Sequence, residues 1–199
     1  MEVVIIKYNA GNTKSVEHAL HRIGIQPLIT DNATQIQNAD KVIFPGVGHA
    51  ESTMNYLKEK KLDVVIKRLT QPFLGICLGQ QLMCSHSEEG NVECLNIFPV
   101  QVKKFISSDP VFKIPQTGWN NLYDLKSELF HKVDTNSFVY FVHSYYSEMS
   151  EYSIATCDYI HPFSAAMQKG NFYATQFHPE KSAEIGQKII QNFIEVVDF

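Results

Sequence analysis

The 199-residue sequence holds no apolar run approaching the roughly eighteen residues that cross a bilayer, so no membrane span is expected. Its opening Met1-Glu2-Val3-Val4 sets no charged stretch ahead of an apolar one, so neither is a signal peptide, and the chain is expected to be cytoplasmic. Positive charge is in deficit, with 17 Lys and Arg against 21 Asp and Glu and a net charge of -4, which leaves no basic field to hold a nucleic-acid backbone. Cysteine is scarce. Cys77, Cys84, Cys94 and Cys157 stand at spacings that match no zinc pattern, and a chain of this length in a reducing compartment has little use for disulfides. Internal repeats, low-complexity tracts, linkers, Gly-rich nucleotide loops and Walker motifs are all missing.

What is present is ordinary globular composition, 44% hydrophobic and 19% charged, in one expected domain spanning 1–199 that is long enough to bury a core without staples. The stretch with most chemical content is Leu74-Gly75-Ile76-Cys77-Leu78-Gly79-Gln80-Gln81. An apolar run from Phe73 to Ile76 feeds a Gly-x-Cys-x-Gly core, and an amphipathic run containing Leu78, Leu82 and Met83 follows, the strand, sharp turn and helix of a nucleophile elbow with sulfur in place of oxygen. The glycines permit a turn where side chains would clash, and they push the central residue into a cramped, exposed position at a helix N-terminus that favours a thiolate. A lone Cys before a helix is more often a buried structural residue, and Cys84, Cys94 and Cys157 are taken as small core residues.

Along the first half, strand and helix signals alternate. Glu2 to Tyr8 is β-branched and of strand length, an Asn9-Ala10-Gly11-Asn12 loop follows, and Val16, Ala19, Leu20 and Ile23 recur at helical spacing up to Gly24, a residue suited to close a helix. Pro27 to Thr30 and Lys41 to Phe44 are further strands, the latter ending at Pro45-Gly46-Val47-Gly48; Met54 and Leu57, then Leu62, Val65, Ile66 and Leu69, mark two helical pieces before the elbow strand. This alternation predicts an α/β fold on a mostly parallel sheet flanked by helices, with ligands beyond the carboxyl ends of the strands, where Asn9–Asn12, Pro45–Gly48 and Cys77 fall together. In the second half, Val100 to Phe105, Phe138 to Val142, Tyr152 to Cys157, Ala165 to Gln168 and Phe172 to Gln176 are strands with short connections, Lys169-Gly170-Asn171 being a hairpin turn, and they predict an antiparallel or mixed extension of the sheet. A closing helix carries Ile185, Ile189, Ile190, Phe193, Ile194 and Val197 on one stripe.

A thiol nucleophile needs a base. Of eight histidines, His178 opens His178-Pro179-Glu180, and residues i and i+2 of an extended chain point the same way, so Glu180 can orient one ring nitrogen while the other faces the thiol. His143, after a strand, could line the same rim but has no adjacent acid; His18, His21, His86 and His131 lie on helical or loop surfaces, and His49 and His161 remain open. Zinc on His178 and Glu180 is a rival, but a catalytic zinc takes about three protein ligands and no third stands beside them, so no metal and no cofactor are expected. For the oxyanion of acyl transfer, the backbone N–H of Leu78 is one donor and that of Val47, in its glycine-flanked loop, is the second; losing one such donor typically costs about 10² to 10³ in rate. The same freedom lets the Val47 loop turn its N–H away, which would make it a switch, though Pro-Gly-Val-Gly alone is no more than a turn.

Together these motifs resemble the class I (triad-type) glutamine amidotransferases, and within them the glutaminase subunits of imidazole glycerol phosphate synthase in histidine biosynthesis. The resemblance runs end to end, through Gly11-Asn12, Pro45-Gly46-Val47-Gly48, the Cys77 elbow with Gln81, Gly118-Trp119-Asn120, Tyr140-Phe141-Val142-His143-Ser144-Tyr145 and Gln176-Phe177-His178-Pro179-Glu180-Lys181-Ser182. It implies that Cys77 attacks the side-chain amide of L-glutamine with His178 as base and acid and Glu180 orienting it, that Gly48, Gln81, Ser144 and Tyr145 hold the glutamine, largely through Gln81's amide and backbone groups of the other three, and that ammonia passes to a (β/α)₈-barrel cyclase partner. Asn12, Trp119, Tyr140 and Lys181 would then lie toward that partner. Free ammonia in neutral water is mostly protonated, and the chain has no acceptor domain, which agrees with an enclosed path to a second protein.

Two positions depart from the family pattern. Gln116-Thr117 stands where His-Met is common, a site expected to be peripheral to the triad, and Lys7 stands where an acid is frequent in the first loop. A glutaminase serving another ammonia acceptor shares nearly all these motifs, and a stand-alone cysteine hydrolase shares the elbow and triad.

Overall fold

The computed structural model describes residues 1–9, 12–195 and 197, so Gly11 of the Gly11-Asn12 pair lies outside the described residues. The β-branched run at the start forms β1 (Val3–Ile6), followed by α1 (Thr13–Arg22), β2 (Leu28–Thr30), α2 (Ala33–Asn38), β3 (Lys41–Phe44), α3 (Ala50–Glu59), α4 (Leu62–Ile66), β4 (Phe73–Ile76) and α5 (Leu78–Met83). Then come the short β5 (His86–Ser87) and β6 (Val92–Glu93), β7 (Gln101–Lys104), β8 (Gln116–Asn121), β9 (Phe138–His143), β10 (Tyr145–Ser147), β11 (Ser153–Tyr159), β12 (His161–Lys169), β13 (Phe172–Thr175) and α6 (Ala183–Glu195). Gly24, at φ 80°, follows α1 where the sequence placed a helix stop, its N–H bonded to the His21 carbonyl at 3.0 Å. β5, β6, β8 and β10 have no counterpart among the expected elements, and neither has α2. Its six residues bury only Ile36, too few for a period to show, and its start is set by Asn32, whose side chain accepts from the Gln35 N–H at 3.1 Å.

Seven strands form one sheet in the order β11-β12-β13-β4-β3-β1-β2, parallel from β13 to β2 and antiparallel through β12 and β11. Every residue of β1, β3, β4 and β13 is buried, as strands covered on both faces require. Val3 and Ile5 face the side of α1 and α6 with Leu20, Ile190 and Phe193; Val4 and Ile6 face the side of α3 to α5 with Leu57, Ile66 and Leu82. Val197 is buried with the first group but falls beyond the end of α6.

β11 and β12 extend the sheet antiparallel as expected, and Gly170, at φ 56°, sits in the turn that joins β12 to β13. Two other strands go elsewhere. β7 joins a four-stranded sheet in the order β10-β7-β5-β6, and β9 pairs with β8 in a separate two-stranded ribbon. The reason lies in their burial: β9 alternates between covered and half-open positions, which suits a ribbon with one wet face and not a layer sealed on both. No helix among the described residues is long and apolar enough to cross a membrane.

Candidate active site

The chain turns at the end of β4 on Cys77, which holds φ 52° and ψ -104°, a conformation that costs a residue with a side chain about 1–3 kcal/mol unless its surroundings impose it. They do. The Cys77 N–H is tied to the Thr175 carbonyl at 2.6 Å on neighbouring β13. A Cβ on Gly75 would stand 2.6 Å from the Met83 sulfur, one on Gly79 2.5 Å from the Phe44 carbonyl oxygen, and one on Gly46 1.7 Å from the Ile76 carbonyl oxygen. The glycines therefore serve close approach of strand, helix and loop. The thiol is cramped as expected but not exposed: Cys77 is 7% accessible, on the floor of a cavity.

His178 follows β13, and Pro179–Lys181 is a single 3₁₀ turn that brings Glu180 Oε1 to 2.8 Å from His178 Nδ1. The pair forms as anticipated, by a turn and not by the extended geometry used to expect it. Both side chains are 1% accessible. The backbone is pinned by the His178 N–H on the Tyr140 carbonyl at 2.9 Å and by the Ser182 hydroxyl donating to the His178 carbonyl at 2.6 Å. Burial pushes the His178 pKa down, but the charges of Cys77 and Glu180 outweigh it and hold the ring above its ordinary value. The charged form of the His178 ring is thereby favoured. His178 Nε2 and Glu180 Oε2 make no hydrogen bond with any described residue, so the ring's outer nitrogen is available on the sulfur's side.

The cavity, about 310 Å³, brings together Cys77, His178, Val47, Gly48, Leu78, Gln81, Ser144 and Tyr145. Glu180 stands behind His178. Gln81 Nε2 donates to the Tyr145 carbonyl at 2.9 Å and to Gln176 Oε1 at 3.0 Å, so the part of Gln81's amide left for a ligand is its oxygen. One acidic wall residue escaped the sequence analysis. Glu89 reaches the cavity from the β5–β6 connection, with Oε2 accepting the Ala50 N–H at 2.8 Å, and nothing in Ser87-Glu88-Glu89-Gly90 distinguishes it from a solvated acid. His143 is buried there, its pKa pushed down to about 4 chiefly by burial, so the ring is neutral at pH 7.

The two expected oxyanion donors are in different states. Leu78 opens α5, where the first N–H groups have no intrahelical acceptor, and it lines the cavity. Val47's N–H is taken: it donates to the Tyr8 hydroxyl at 3.2 Å, while that hydroxyl lies 2.8 Å from the Pro45 carbonyl and 2.9 Å from the Val47 carbonyl. Burial pushes the Tyr8 phenol far above its ordinary pKa, so it stays a neutral hydroxyl with one proton to give.

The four residues expected at a partner surface do not line the cavity. Asn12 caps α1, accepting from the Ser15 N–H at 3.4 Å; Trp119 is 52% accessible and meets Tyr140 across the β8–β9 pair with ring centroids 6.0 Å apart; Lys181 is exposed at the end of the 3₁₀ turn. Lys7 is exposed. Gln116 is less peripheral than expected: it is buried and lies 2.9 Å from His143 Nε2, while His143 Nδ1 lies 2.7 Å from the Tyr145 carbonyl. A carbonyl only accepts, so the proton of the neutral ring is on Nδ1 and Gln116 must offer its NH₂ to Nε2. Cys84, Cys94 and Cys157 have thiols pushed up to about 12 by burial, which leaves them unreactive. Among the described residues no group of three or more His, Cys, Asp or Glu is placed to hold a metal ion.

Residues 4–197 match the family model Glutamine amidotransferase class-I. The chain is 58% identical over 196 residues to the imidazole glycerol phosphate synthase subunit HisH of Bacteroides fragilis strain YCH46, spanning 98% of this chain and 100% of that protein. It is 54% identical over 196 residues to the protein of the same name from Bacteroides thetaiotaomicron, with 98% and 100% covered. Among solved structures it is similar in fold to a putative GMP synthase protein from Thermoplasma acidophilum, with TM-score 0.75, 20% identity and 98% and 94% of the two chains covered. A crystal structure of a glutamine amidotransferase is similar too, with TM-score 0.74, 15% identity and 97% of each chain covered.

Proposed function

The chain belongs to the class I glutamine amidotransferase family, and on that premise we propose that it is the glutaminase subunit of an imidazole glycerol phosphate synthase. It releases ammonia from L-glutamine for a cyclase subunit of histidine biosynthesis, in the cytoplasm. The observation that carries this is the buried His178–Glu180 pair, 2.8 Å apart, with the ring on the cavity that Cys77, Gln81 and Glu89 also line.

In the proposed reaction the α-ammonium of glutamine is held by Gln81 Oε1 and the Glu89 carboxylate, and backbone groups of Gly48, Ser144 and Tyr145 hold the rest of the amino-acid end. The Cys77 sulfur attacks the side-chain amide carbon, and the oxyanion is received by the Leu78 N–H and, once it is turned inward, the Val47 N–H. His178 Nε2 gives its proton to the departing nitrogen, the C–N bond breaks, and ammonia leaves a glutamyl thioester. A water then loses its proton to His178 and attacks the thioester, releasing glutamate and restoring the pair. Glu180 keeps the ring oriented and stabilises its charge throughout. Asn12, Trp119, Tyr140 and Lys181 are assigned to the surface that meets the cyclase.

The test is glutamate release from L-glutamine by the chain mixed with its candidate cyclase, with and without the cyclase's ligand. Stimulation by the partner, abolished in Cys77→Ala, is the expected result. Activity that survives Cys77→Ala overturns the assignment of the nucleophile, and steady full turnover without a partner favours a stand-alone hydrolase.

A further inference from the structure

The sulfur of Cys77 has a second polar neighbour besides the triad. Gln176, fully buried two residues before His178, places Nε2 3.6 Å from Cys77 Sγ. On another side the Val142 carbonyl oxygen lies 3.9 Å from the sulfur. These neighbours act on opposite protonation states. A thiol can donate to the Val142 carbonyl, whereas a thiolate, a far stronger acceptor than a thiol, gains most from an amide N–H aimed at it.

Which end of the Gln176 amide faces the sulfur follows from an unbroken chain of partners. The Tyr145 carbonyl can only accept, so Gln81 must present its NH₂ there. The same Gln81 nitrogen lies 3.0 Å from Gln176, which must therefore present its oxygen, leaving its own NH₂ for Cys77. His143 Nδ1 occupies the other lone pair of the Tyr145 carbonyl at 2.7 Å, which fixes the head of the chain. The stem of Gln176 is set by its N–H on the Ala165 carbonyl at 2.8 Å.

We propose that Gln176 is a further catalytic residue: its side-chain amide, oriented by Gln81 and the Tyr145 carbonyl, donates a hydrogen bond to the Cys77 sulfur and stabilises the attacking thiolate. The proposal rests on Cys77 being the nucleophile. It also links substrate binding to the nucleophile. Gln81 is proposed to accept from the α-ammonium of glutamine at its oxygen; that contact polarises the Gln81 amide, strengthens its donation to Gln176, and so strengthens Gln176's donation to the sulfur.

The test compares the full chain, with its cyclase partner, to Gln176→Leu and Gln176→Glu. Leu removes donor and acceptor; Glu keeps the acceptor for Gln81 but turns an oxygen toward the sulfur, so it serves if Leu fails to fold. One readout is the rate of Cys77 alkylation by iodoacetamide against pH, which needs no turnover, with Cys77→Ala giving the background. The other is the split between kcat and KM for glutamate release. The expected result is an alkylation profile displaced to higher pH by about one unit, with kcat reduced about tenfold or more and a smaller change in KM, because a hydrogen bond to a charged acceptor acts on the anion. An unchanged profile in a folded variant overturns the proposal and leaves Gln176 a packing residue, even if kcat falls. Failure of Cys77→Ala to abolish activity would instead overturn the function proposed for the site, so the two failures are told apart.

Discussion

The two sides of the reaction cavity are built on different principles. On one, the β4–α5 elbow is over-determined: Cys77 keeps an unfavourable backbone because Gly46, Gly75 and Gly79 let three segments close to within contact and because its N–H is bound across to Thr175. On the other, although Gly46 is packed on the elbow, the Val47 peptide next to it is held by one hydroxyl, that of Tyr8, which takes the Val47 N–H proposed for the oxyanion. The position of Cys77 is thus sealed into packing, which does not deform continuously, while the direction of the Val47 N–H depends on a single exchangeable hydrogen bond. For the reaction proposed above, this arrangement would hold the Cys77 sulfur ready and leave the oxyanion hole to be completed when the partner binds.

The sharpest way to break this contrast is to disturb the seam that both sides share. Gly46→Ala drives a methyl into the Ile76 carbonyl and against the Leu78 N–H, so stability is expected to fall by about 3 kcal/mol and glutamate release by about 10² or more. Thermal unfolding and partner-stimulated turnover measure the two; a variant with normal stability and activity would mean that the loop is not seated on the elbow. Next in size is Tyr8→Phe, which frees the Val47 N–H without touching the triad. Glutaminase activity of the chain alone is expected to rise about tenfold or more, part of the 10² to 10³ that one oxyanion donor supplies. A rate without partner that stays level or drops would show the hydroxyl to be a support and not a latch.

The smallest effect separates the two buried histidines by pH. His143, lowered from 6.5 to about 4, is neutral when folded and binds a proton more readily when unfolded, so its contribution is complete above pH 6.5 and is lost as pH falls toward 4, worth at most about 3 kcal/mol. His178 is raised, so its contribution is complete below pH 6.5 and is lost as pH rises through its elevated folded value. Urea unfolding at pH 7 and pH 5 should show the native chain losing stability on acidification more than His143→Gln does. Equal losses would place the acid sensitivity elsewhere.

Much of the frame was legible because its signals are local. The short, largely apolar strands β1, β3 and β4, the stop at Gly24, the elbow around Cys77 and the His178-Pro179-Glu180 step each lie within a few residues of chain, where period and residue type carry the information. Illegible elements lacked such a window: α2 is too short to show a period, and β7 and β9 leave the main sheet because only one of their faces is covered.

From the amino-acid order alone came the alternating strands and helices, Cys77 with its candidate partners His178 and Glu180, and the rim on which they meet, since each is written by hydrophobic period, by glycine or by adjacency. Only tertiary structure could settle that Glu89 reaches the cavity, that Gln176 touches the sulfur 99 positions away, that Gln116 is wired to His143, and that Val47 points its N–H at Tyr8. Those outcomes turn on hydrogen-bonding groups far apart in sequence competing for the same carbonyl or hydroxyl. Net differences of about 1 kcal/mol decide such contests, and no neighbouring pattern records them.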